Sequence, residues 1–112
     1  MDPNLTKTQR RRLRELGGTA YERDLSEHLT ALESEFKRWR AAEIDAFALS
    51  EAIHRFHQGP ARELFSRYEP SHLDFAVAQA IHRGLLSEDE AGAETLEVLA
   101  KHLGHLREQD RK

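Results

Sequence analysis

Glu51, His54 and His57 recur every third residue in the stretch from Asp45 to Tyr68, just ahead of Gly59 and Pro60. On a helix of 3.6 residues per turn they fall within roughly 120° of one face, so a carboxylate and two imidazoles could converge. Those are the groups that ligate a divalent transition metal or move a proton as general base and acid. A single metal would need a further ligand, for which His28, His82, His102 and His105 supply imidazoles. A carboxylate-bridged pair of metals would need a second Glu-x-x-His, and the other instance, Glu69 to His72, is interrupted by Pro70. The competing account of the trio is packing, with half-buried histidines hydrogen-bonded along a helix seam.

Three further patterns carry chemistry or recognition. Arg23 and His28 are separated by four residues with Asp24 after the arginine, and Arg67 and His72 share the spacing. This Arg-x4-His arrangement resembles the motif of HEPN-type ribonucleases, which are also small helical bundles, and the resemblance implies RNA cleavage at those residues. Lys7, Arg10, Arg11, Arg12 and Arg14 place five cations within eight residues, a density able to neutralise several phosphates. No aromatic side chain lies among them to stack bases, and acidic Glu22, Asp24, Glu27, Glu33 and Glu35 follow, so nucleic acid is the less favoured partner. Leu96, Leu99, Leu103 and Leu106 step by three, four and three, the rhythm of a coiled-coil seam or of a bundle helix's inward stripe. Trp39 and Phe47 flank a corner between two helices and suit either a staple of that corner or an anchor for a partner. Ser50, Ser66 and Ser87 sit in no nucleophile elbow, and no glycine-rich phosphate loop occurs.

These residues must be positioned by helices, because helix signals are abundant and strand signals nearly absent. A short basic first helix is expected from Thr6 to Leu16, loosely docked and ended by Gly17 and Gly18. The strongest periodicity, Tyr21, Leu25, Leu29, Leu32, Phe36 and Trp39, predicts a helix from Thr19 to Ala41 with Thr19 as its N-cap. Asp45 can cap a third helix with Leu49, Ala52, Ile53 and Phe56 inward, and the phase of Leu64 and Tyr68 favours a kinked continuation through Pro60. Ser71 with Asp74 reads as a capping box for a helix to Arg83, with Leu73, Ala76, Val77, Ala80 and Ile81 inward and Gly84 at its end. Ser87 with Glu90 repeats that start before a last helix, and the tail at 108–112 should fray.

At 112 residues with 38% hydrophobic content the chain fits one domain. A net charge of -3 gives no overall attraction to nucleic acid or membrane surfaces. Without cysteine there is no disulfide or thiolate chemistry, and no apolar run of spanning length or secretory leader is present, so a cytoplasmic location is expected. The expectation is an all-α single domain over 1–112, a compact bundle of five or six helices around a central antiparallel pair, Thr19 to Ala41 with Asp45 to Tyr68. Its expected role is a self-associating protein-interaction or regulatory module without catalysis or cofactor, contacting partners through Trp39, Phe47, Leu96, Leu99, Leu103 and Leu106. The alternatives are a metal or acid–base site at Glu51, His54 and His57, and RNA binding or cleavage.

Overall fold

The computed structural model describes residues 1–111, and the fold is all-α, with no strand among them. Helix α1 (Lys7–Arg40) is followed by α2 (Ala46–Phe56), a π-helical turn (His57–Ala61) and α3 (Arg62–Arg67). A 3-10 turn (Pro70–His72) then leads into α4 (Leu73–His82), α5 (Glu88–Ala91), α6 (Ala93–Val98) and α7 (Ala100–Asp110). Because α2, the π turn and α3 run on without a break, there are six helices among the described residues. The chain forms two compact units, Met1–Tyr21 with Arg67–Lys112, and Glu22–Ser66.

The expected break at Gly17 and Gly18 does not occur: α1 is one helix of 34 residues. Its N-cap is Thr6, whose hydroxyl accepts from the Gln9 amide at 3.1 Å while the Gln9 side chain accepts from the Thr6 amide at 2.9 Å. That is a capping box at a start the sequence did not identify as one. Thr19 is mid-helix, its hydroxyl donating back to the Glu15 carbonyl. Tertiary packing overrides the glycine signal. A Cβ on Gly17 would lie 2.5 Å from Cδ1 of Leu73, so the missing side chain is what lets Leu73 lie against the α1 backbone, whereas a Cβ on Gly18 would meet nothing. Leu13, Leu16 and Ala20 are buried on the same stretch, so the basic segment is packed into its unit.

Around that contact the first unit builds its core from Leu73, Ala76, Val77, Ala80 and Ile81 of α4, buried as the periodicity required, and from Ala78, which lies off that face and is buried too. Tyr21 stacks on Tyr68 with ring centroids 5.1 Å apart. The Ser71–Asp74 capping box does not form. Residues 70–72 take a 3-10 turn instead, and the Asp74 carboxylate accepts from the Phe75 amide at 2.9 Å and the Asp2 amide at 3.4 Å. Gly84, at φ 79°, closes α4 in a Schellman pattern, with the amide of Leu85 donating to the Ala80 carbonyl and that of Gly84 to Ile81. Asp74 near the start of α4 meets His102 near the start of α7 at 3.5 Å, and His82 at the end of α4 meets Asp110 at the end of α7 at 2.6 Å. The two helices therefore lie side by side and run in the same direction.

The expected long last helix is divided in three. Ser87 and Glu90 form the full capping box for α5, but Gly92 at φ 87° and ψ 156° turns the chain into α6, and Leu99 at φ -94° and ψ 8° separates α6 from α7. The first of these conformations is one only glycine adopts readily. The tail expected to fray at 108–112 is helical to Asp110, which His82 holds, and Lys112 lies outside the described residues.

In the second unit α1 ends in another Schellman pattern, the Glu43 amide bonding the Arg38 carbonyl and the Ala42 amide that of Trp39. Ala42 takes the left-handed position at φ 61°, where a Cβ is unfavourable. Asp45 caps α2 as expected, accepting from the Ala48 amide at 2.8 Å. Pro60 neither stops nor reverses the helix. A π turn bonds i to i+5, so the Phe56 carbonyl is not asked to pair with the proline nitrogen that has no hydrogen.

Two substitution sets test this account by chemical denaturation. Gly18→Ala should stabilise by about 1 kcal/mol through helix propensity, whereas at Gly17 the same gain is offset as the added methyl displaces Leu73, so Gly17→Ala should be less stable than Gly18→Ala by about 1–3 kcal/mol. Ala42→Gly should stabilise by about 0.5–1 kcal/mol by relieving the left-handed strain.

Candidate functional site

The second unit differs from the first in what it leaves uncovered. Of its large apolar side chains only Leu49 and Leu64 are buried. Phe47 is 86% and Phe65 74% exposed, and Leu29, Phe36, Trp39 and Ile53 are each more than a third exposed. Within the 22–40 part of α1, Leu25, Leu29, Leu32, Phe36 and Trp39 step by four, three, four and three and share one stripe. The stripe expected to be core is thus half solvated, with Leu25 and Leu32 only partly covered. Beside it, Leu32, Glu35 and Arg38 of α1 and Ala52, Phe56 and Pro60 of the following helical run line a groove of about 430 Å³. Proline is tolerated at this depth because the π turn keeps the helix continuous there.

Polar groups frame the apolar surface. Arg38 bridges Glu35 at 3.2 Å and Glu43 at 3.7 Å, Lys37 pairs with Glu33 at 3.7 Å, and the Arg40 guanidinium lies 5.5 Å from the centre of the Trp39 ring. Each contact is solvent-exposed and contributes little to stability, so these residues leave the apolar groups between them accessible.

The structure does not assemble the metal site suggested by Glu51, His54 and His57. All three are exposed on α2 and the π turn, and among the described residues no three His, Asp or Glu side chains gather as a cation requires. Steps of three place each residue about 60° further round the helix, and at the third the π turn widens the spiral, so the groups fan outward into solvent. Their packing alternative is also corrected, because they are not half-buried.

The expected partner surface divides. Trp39 and Phe47 are exposed, whereas Leu99, Leu103 and Leu106 are buried in the core of the first unit and Leu96 is half-buried, so this leucine series is an inward stripe interrupted at Leu99. Of the basic cluster, Arg12 bonds Glu15 at 3.3 Å and the Glu90 carbonyl, and Arg10 bonds the Pro3 carbonyl at 3.2 Å. Lys7, Arg11 and Arg14 remain exposed on one face of α1. For the Arg-x4-His pairs, His28 lines the groove while Asp24 is buried between the two motif residues in sequence, and Arg67 and His72 are partly buried in the first unit. Among the described residues no buried side-chain nitrogen or oxygen lacks a hydrogen-bond partner.

Two features had no signal in the sequence. Phe65 follows Leu64 directly, and local pattern does not say which of two adjacent apolar residues turns outward. In the first unit a second pocket of about 350 Å³ brings Asp2, Asp74, Glu97, Lys101 and His102 together, with the imidazole of His102 also edge-on to Phe75 at 5.7 Å. No helix among the described residues is long and apolar enough to cross a membrane.

The adjacent pair Leu64 and Phe65 gives a direct test. Leu64→Ala should cost about 2–5 kcal/mol by opening a cavity, and Phe65→Ser should change stability by no more than about 0.5 kcal/mol. Both are read from denaturation midpoints.

Searches with the chain find no matching family model, no matching curated protein and no matching solved structure.

Proposed function

We propose that the protein is a small cytoplasmic interaction module whose partner-binding surface is carried by residues 22–66. The observation that carries this reading is the concentration there of exposed large apolar side chains, Leu29, Phe36, Trp39, Phe47, Ile53 and Phe65, in a unit with only two buried leucines. Burying apolar surface releases about 25 cal/mol per Å², so a surface of this kind is stabilised by association. Aromatic side chains are also the groups that most often anchor protein interfaces, and four of these six are aromatic. Trp39 and Phe47 keep the anchor role the sequence suggested. The groove beside Leu32 and Phe56 offers a concave complement to such anchors.

The test is photo-crosslinking in the cells the protein comes from, with a photoreactive phenylalanine analogue replacing Phe47 or Phe65. A discrete adduct of protein mass is expected from each position and should disappear when Trp39→Asp is added. Absence of any adduct from both positions would overturn the reading.

A further inference from the structure

The apolar stripe on the second half of α1 has a two-fold character that points to its occupant. Leu25, Leu29, Leu32, Phe36 and Trp39 keep the 3.5-residue average spacing of a coiled-coil seam across about four turns. A seam of that period fits another helix with the same period. Its charges are also polarised: Glu22, Asp24 and Glu27 outweigh Arg23 in the first half, and Lys37, Arg38 and Arg40 outweigh Glu33 and Glu35 in the second.

We infer that the occupant is a second copy of this chain, packed with its α1 antiparallel to the first across a two-fold axis near Leu32 and Glu33. This rests on the interaction surface proposed above and names what covers it. In that register Leu29 of one copy lies opposite Phe36 of the other, and the relation is reciprocal, as a two-fold contact demands. The acidic part of each helix then faces the basic end of its mate, whereas a parallel pair would set cation against cation. Glu22 and Arg40 lie on the Leu29 side of the stripe, both about 20° round the helix from Leu29 at 100° per residue. Neither forms an ion pair within its own chain among the described residues, and each comes within reach of the other across the axis. Glu33, the acid nearest the axis, is already paired with Lys37 at 3.7 Å, which offsets the approach of its symmetry mate.

The chain contains no cysteine, so single introduced thiols report the geometry cleanly. Leu29→Cys and Phe36→Cys proteins, mixed and oxidised, should form a covalent heterodimer at least about tenfold faster than either alone. In the antiparallel register two Leu29 positions stand about 10 Å apart along the axis, too far for a disulfide. Equal or faster self-coupling of Leu29→Cys would indicate a parallel pair and overturn the inference. Light scattering on the unmodified protein should give the dimer mass, and a monomer mass at the highest concentration measured would equally overturn it. Glu22→Arg and Arg40→Glu each lie on the exposed surface and should each weaken the dimer about threefold or more. The double variant should recover the original dissociation constant, and failure to recover it would remove the pairing assigned to these two residues and with it the register. A monomer that still yields photo-adducts with a different protein from Phe47 would leave the interaction module standing while this inference fails.

Discussion

The first unit depends on the place where Leu73 lies against the bare backbone of Gly17. The Leu73 side chain reaches α1 there, while α4 itself packs along α7. Ala76, Ala78 and Ala80 of α4 are all buried as well. The bulk of this unit's core comes from Leu13, Leu86 and Leu99, each almost fully buried. Exposed polar contacts such as His82 with Asp110 fasten an arrangement that packing has already fixed.

The second unit follows the opposite regime. It has well-formed helices, a properly capped α2 and a proline accommodated without loss of continuity, yet little of its apolar surface is enclosed. Helical order there comes from local hydrogen bonding and caps more than from a core. Such a unit gains most from whatever it binds, because the favourable burial that folding left undone remains available to association.

What was legible in the sequence was local chemistry. Asp45, Ser87 with Glu90, and Gly84 did what their side chains, or the lack of one, dictate within four or five residues. The inward face of α4 was legible as well, since its period is helical and its residues apolar. Gly17 misled because glycine signals a helix end by local propensity, while close packing from a residue 56 positions away in the chain keeps the helix intact. The series from Leu25 to Trp39 and that from Leu96 to Leu106 have nearly the same rhythm, yet the first is largely open and most of the second enclosed. Periodicity reports which face of a helix is apolar and carries no information on what covers that face. The histidine trio shared this defect: spacing made convergence possible on one helix, but a metal needs groups from elsewhere, and those positions are set by tertiary structure.

The same-direction pairing of α4 and α7 has a consequence for the chain between them. A protein backbone that finishes one helix and must begin a neighbour from the same end has to travel back the full length of the first, about 15 Å for ten residues. Residues 83–99 make that journey, and a single straight helix could not leave the end of α4, return and turn again into α7. The pivots at Gly84, Gly92 and Leu99 are therefore the corners of a return path, and α5 and α6 are its straight sections. Seen this way, the glycine in the middle of an otherwise helical stretch is a requirement of connectivity, set by where the last helix has to begin.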